Sequence, residues 1–210
     1  MDRVTIIYFV ALVVSIILHE ISHGVVALWF GDDTARRAGR LTLNPIPHID
    51  PFGSLILPAL GALANIPVIG WAKPVPVNPN RLRNSRRDML YVSLAGPATN
   101  FALMLVAALV ARSLYKPSVF VFTVNDLPLP VIVALLFAEV NLFLGILNFL
   151  PIPPLDGSAL IERVLPAAWL PGWHRFRPYG MLVLLLLVFY GGIGHIINPF
   201  RDHLFNFILK

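Results

Sequence analysis

His19 and His23 stand four residues apart, with Glu20 beside the first of them, inside an otherwise apolar run. On a helix, residues at i and i+4 share a face, with Cβ atoms about 5–6 Å apart. Two imidazoles so placed can reach one Zn²⁺ at roughly 2.0–2.1 Å. Glu20 lies to the side of that pair, off the metal but within reach of an attacking water. Zinc lowers the pKa of a water towards about 7, and a neighbouring carboxylate can take the proton as the water attacks a carbonyl. The carboxylate can then pass that proton to a leaving amine. This is the chemistry of the pattern H-E-x-x-H. The bland alternative is an interhelical hydrogen-bond cluster. Three titratable groups in the middle of a lipid-spanning stretch are costly to keep there, which favours function.

A catalytic zinc needs a third protein ligand and one open position. The chain has no cysteine, so the ligand must come from His, Asp or Glu. The candidates are His48, Asp50, Glu139, Asp156 and Glu162. Asp156 follows Pro151-Ile152-Pro153-Pro154-Leu155 and precedes Gly157. The prolines end a helix and withhold backbone donors, so the chain can turn back there. On the residues alone Asp156 is the best of the five, and an ordinary Asp-Gly turn is the competing reading.

These side chains must be held by elements that lie in lipid. Of 210 residues, 57% are apolar and 13% charged, with a mean hydropathy of +0.77. A soluble domain carries about 25% charged residues. Lipid accounts for the excess better than any core a chain of this length can build. The expected fold is therefore an α-helical membrane bundle of about four spanning helices, with a re-entrant segment and a short surface β-hairpin. Residues 1–210 are read as one membrane-embedded domain.

The first span begins at Val4 and carries the His-Glu-His insert through to Phe30. No small-residue cleavage site follows it, so it reads as retained rather than as a signal peptide. Residues 40–43 are strand-like before the Asn44-Pro45 turn and suggest the hairpin. Residues 51–72 are uncharged but broken by Pro51, Pro58 and Pro67, which suits a re-entrant segment. Met89–Ala111, Val131–Leu150 and Tyr179–Ile197 read as further spans, and 157–164 as a short helix. Eleven of the 16 Lys and Arg residues fall on the side of the metal-proximal loops, which makes that side cytoplasmic. The formal charge of +5 then reflects cytoplasmic loops. No basic helix with interleaved aromatics and no phosphate loop is found, which argues against nucleic acid as a partner.

The chain resembles the site-2 protease family of intramembrane metalloproteases, in its small bacterial branch without accessory domains. Three separated elements carry the resemblance: His19-Glu20-Ile21-Ser22-His23, Gly96-Pro97-Ala98-Thr99-Asn100, and Asn148-Phe149-Leu150-Pro151 running into Leu155-Asp156-Gly157. Gly39–Pro45, His48–Pro51 and Gly70–Val75 add to it. The resemblance implies that His19, His23 and Asp156 bind one Zn²⁺ per chain and that Glu20 is the general base. It also implies that Asn148 faces the active site, where its amide could donate to a developing oxyanion. It further implies a membrane-spanning protein substrate, and a bacterial or archaeal cytoplasmic membrane with the active site towards the cytoplasm. Gly96, Pro97 and Asn100 read as packing residues beside the metal helix.

Two other classes compete. Intramembrane His, Glu and Asp also mark ion paths in transporters, but no inverted repeat is present. A catalytically inactive relative that only binds membrane helices would keep the fold without turnover. A soluble zinc hydrolase would need an aqueous domain that the composition does not provide.

Overall fold

The structure, a computed structural model, describes residues 2–50, 53, 56, 72–116 and 123–210. Helix α1 runs Arg3–Trp29 and is uncharged from Val4 to Leu18. Its first turn is closed by Asp2, whose side chain accepts from the Thr5 amide at 2.8 Å. This is an N-cap that satisfies one of the free amides of a helix start. A short α2, Thr34–Arg37, follows. Helix α3, Ser85–Leu114, is capped by Asn84 in the same way. Helix α4 is Leu129–Phe149, and α5 is Ser158–Val164. Three further helices complete the chain: α6, Leu170–Phe176; α7, Gly180–Phe189; and α8, Gly192–Leu209.

Helices α1, α3 and α4 are each long and apolar enough to cross a membrane. They pack against one another as the core of the molecule. Small residues let their backbones approach: Ala11 on α1, Ala107, Ala108 and Ala111 on α3, and Ala134 and Ala138 on α4 are all buried. Close approach through small side chains is how helices associate where lipid supplies no hydrophobic drive. The outward faces are apolar as well, with Phe9, Val10, Leu105, Val106 and Leu109 exposed. Apolar side chains turned outward on such helices face lipid.

Two sequence expectations are corrected. Tyr179–Ile197 is not one straight helix. The chain breaks at Gly191, and the helices on either side meet at 65°. Gly191 adopts φ +72, a left-handed conformation that ends α7 before α8 starts. With this bent pair as one crossing, the count reaches up to four.

The surface hairpin does not form: no strand occurs among the described residues. Residues 40–48 are held by side chains instead of a ladder. The Asn44 amide donates to the Thr42 hydroxyl at 3.2 Å, the Ile46 amide to Asn44 Oδ1 at 3.1 Å, and His48 Nε2 to the Thr42 carbonyl at 3.0 Å. Asn, Thr and His here compete for the groups a strand would have used. The re-entrant segment expected over 51–72 lies almost wholly outside the described residues.

Candidate metal centre

His19 and His23 project from α1 towards α3, both buried. The α4 helix ends at Phe149, and the proline-rich turn that follows returns Asp156 to the same point. That turn is tied by short backbone bonds: Leu155 to Ile152 at 2.8 Å and Gly157 to the Asn148 carbonyl at 2.7 Å. Asp156 Oδ2 lies 3.0 Å from His19 Nε2 and 3.4 Å from His23 Nε2. The two Nε2 atoms are 3.0 Å apart. The structure thus brings three of the predicted residues to one point.

The opposite ring nitrogens fix what these atoms can do. His23 Nδ1 is 2.7 Å from the Val92 carbonyl, which can only accept, so Nδ1 carries the proton. His19 Nδ1 is 2.6 Å from Asn100 Oδ1, likewise an acceptor. A neutral imidazole that donates through Nδ1 presents a bare lone pair at Nε2. Two lone pairs and a carboxylate oxygen therefore face one another, and Asp156 Oδ2 is buried without a hydrogen-bond partner. Three acceptors at this separation repel unless a cation or proton lies among them. Tetrahedral ligands about 2.0–2.1 Å from zinc stand about 3.3–3.4 Å from one another. The observed edges of 3.0, 3.0 and 3.4 Å fit such an ion with small adjustments.

Helix α3 backs this cluster through Gly96. A Cβ there would stand 2.5 Å from His19 Nε2 and 2.6 Å from His23 Nε2. Only a residue without a side chain lets the helix lie against the rings. Pro97, next along, has no amide to donate to the Ser93 carbonyl, one residue past the Val92 carbonyl that accepts from His23.

Glu20 Oε2 accepts from the Val75 amide at 2.8 Å. The segment 72–78, which is neither helix nor strand, lies across this part of α1 and is fastened at several points. Asp32, fully buried, accepts from the Asn78 amide at 2.6 Å and the Thr34 amide at 3.0 Å. Burial pushes the Asp32 carboxyl up, but the Thr34 hydroxyl, together with these two amides and Arg81 nearby, brings it below its ordinary value. Arg40 donates to the Lys73 carbonyl at 2.5 Å, and the Lys73 amide to the His48 carbonyl at 2.9 Å. Asp32, Arg40 and His48 thus position the segment against Glu20.

The other candidate ligands lie elsewhere. His48 bonds to Thr42, and Asp50 Oδ1 accepts from the Gly53 amide at 2.6 Å. Glu162 takes Trp173 and Arg177 as partners. Glu139 lines a separate cavity of about 270 Å³ with Tyr8 and Arg201. Asn148 directs its amide along its own helix, to the Leu144 carbonyl at 3.1 Å. Sequence reasoning gave Asn100 too little weight and passed over Ser15 and Asn141. The signal was there: Ser15, His19 and His23 recur every four residues on one face, and Asn141 is a polar residue in an apolar span.

Residues 7–127 match the model of Peptidase family M50. YwhC of Bacillus subtilis, named as a candidate zinc metalloprotease, is 35% identical over 85% of this chain and 78% of its own length. Rip2 of Mycolicibacterium smegmatis, named in the same way, is 33% identical over 83% of this chain and 63% of its own length. Rip2 of Mycobacterium tuberculosis H37Rv is 36% identical over the same shares. This chain therefore spans somewhat less than two thirds of the Rip2 relatives. No solved structure gives a significant match.

Proposed function

The chain belongs to Peptidase family M50, and from that premise we propose that it is an intramembrane zinc metalloprotease whose metal is held by His19, His23 and Asp156. The observation that supports this ligand set most is the meeting of two bare imidazole nitrogens and an unpartnered carboxylate oxygen inside the helix bundle. A bound zinc supplies Lewis acidity at that point, acidifying a water and polarising the scissile carbonyl. Glu20 is the general base. It takes the proton of the attacking water and returns it to the leaving amine, while the Val75 amide fixes one of its oxygens and leaves the other for the proton. Asn148 is proposed to stabilise the oxyanion, its amide turning from the Leu144 carbonyl to the substrate.

The proposed substrate is a membrane-spanning protein segment. Its backbone is internally hydrogen-bonded, so it must unwind locally before a carbonyl is exposed, and helix-breaking residues in it favour cleavage. The side of the membrane with most Lys and Arg, and with the metal end of α1, is proposed to be cytoplasmic in a bacterial or archaeal membrane.

Zinc content of the detergent-purified protein tests the reading. Wild type and Glu20→Gln are expected to hold about one zinc per chain, whereas Asp156→Ala loses it. Glu20→Gln is expected to lower cleavage of a membrane-spanning model substrate by about 10²–10⁴-fold. A wild type that takes up no zinc overturns the reading, and an Asp156→Ala protein that keeps its zinc overturns the ligand set. Asn148→Ala should retain zinc and lower kcat by about 10²–10³-fold. An unchanged kcat removes Asn148 from the mechanism.

A further inference from the structure

The two zinc-facing imidazoles are oriented by different means. His23 Nδ1 meets a backbone carbonyl directly, that of Val92. His19 Nδ1 meets Asn100 Oδ1, and an amide side chain can face either way. Turned over, Asn100 would offer N–H to Nδ1, drive the ring proton to Nε2 and remove the lone pair a metal needs. Something must hold Asn100 in its present sense.

That something is visible in the same buried layer. Asn100 Nδ2 donates to Asn141 Oδ1 at 2.9 Å. Asn141 Nδ2 donates in turn to the Phe137 carbonyl at 2.8 Å and to Ser15 Oγ at 2.8 Å. Asn100, Asn141 and Ser15 are each wholly buried. A backbone carbonyl can only accept, so the Phe137 carbonyl compels Asn141 to present its nitrogen there. Asn141 must then present its oxygen to Asn100. Asn100 must present its nitrogen to Asn141 and its oxygen to His19. His19 must carry its proton on Nδ1, and its Nε2 is left bare. Every link has one consistent direction, and the direction originates at a carbonyl of α4, two side chains away from the ring it controls.

We propose that Asn141, acting through Asn100, is a positioning residue that sets the tautomer of His19 and so its readiness to bind metal. This rests on the reading of His19 as a zinc ligand. It adds that the third span helps prepare a ligand carried by the first. Partners that orient metal-binding histidines typically alter metal affinity or activity by about 10–100-fold when removed.

The test is made on the metal-free protein, where it does not depend on zinc. Nitrogen-15 NMR of histidine-labelled protein, with His19→Gln used to assign the signal, distinguishes the two neutral tautomers. Wild-type His19 is expected in the Nδ1–H form. Asn141→Leu, similar in volume but without direction, should give a mixture of tautomers and weaken zinc binding in chelator competition by about tenfold or more. If Asn141→Leu is not recovered folded, Asn141→Ala is expected to give the same two changes. A folded Leu or Ala variant with His19 unmixed and zinc affinity within twofold of wild type overturns the proposal. If the tautomers behave as expected but no protein binds zinc, the positioning chain stands and the zinc reading fails.

Discussion

The metal end of the α1–α3–α4 bundle and the bent α7–α8 pair are both built from largely apolar helices but on different principles. In the first, polar atoms fix the geometry. Histidine rings, asparagine amides and bare carbonyls meet in pairs with defined direction, and a glycine admits them. In the second, Leu184, Ile193 and Ile197 pack against Phe143, Ile146 and Leu147 of α4, and contacts of this kind have no direction. Its shape comes from one backbone break at Gly191. Changes at the metal end should therefore alter chemistry, and changes in the arm should alter stability alone.

The largest effect expected from a single small change is at Gly96. In Gly96→Ala the new methyl would overlap both imidazoles, so either α3 moves away from α1 or the rings turn aside. Loss of ring orientation should lower zinc affinity by at least the 10–100-fold typical of disturbed supporting contacts, with activity falling in step. Chelator competition and cleavage of a model substrate are the measurements. Wild-type zinc affinity in Gly96→Ala would mean that the close approach does not govern the site.

An intermediate effect is expected at Asp32, which fastens the segment that reaches Glu20. Asp32→Ala leaves the half-buried amides of Asn78 and Thr34 without their acceptor. That loss should cost about 1–3 kcal/mol, read as a lower unfolding temperature in detergent. Zinc should stay bound, because no ligand is touched, while kcat falls as the Val75 amide loses its hold on Glu20. A stability loss with kcat unchanged would separate Asp32 from the positioning of the base.

Much of this was legible from residue types. Intramembrane His and Glu residues are costly, and their spacing on α1 pointed to a metal site, whereas Asn100 on α3 read as a packing residue. The three core spans followed from the length of their apolar runs. What stayed hidden had no such signal. Whether Asp156, Glu139 or His48 completed the cluster depends on which turn of chain comes back to α1, and spacing along the sequence cannot say. Asn141 and Ser15 look like isolated polar residues until the helices are paired. The supposed strand at 40–43 had β-branched and apolar residues, but its neighbours Thr42, Asn44 and His48 use local side-chain bonds that propensity does not weigh. Tyr179–Ile197 has the hydropathy of a span throughout, and only the left-handed φ at Gly191 divides it.

That division gives the smallest predicted effect and the sharpest check on the contrast. Gly191 sits at φ +72 and ψ 7, and a Cβ there would meet nothing within 4 Å. Gly191→Ala therefore costs backbone strain alone, about 1–2 kcal/mol for an L-residue in the left-handed region. The unfolding temperature should fall slightly, while zinc affinity and kcat stay at wild-type values. The prediction is demanding because the arm touches Phe143 and Leu147, on the same helix that carries Asn141 and Asn148. If relieving the strain straightened the pair and disturbed α4, the effect would appear as weaker zinc binding, with the bend then acting as a support of the site. An unchanged affinity beside a measurable loss of stability would mean that directed polar contacts carry the geometry of the metal end by themselves.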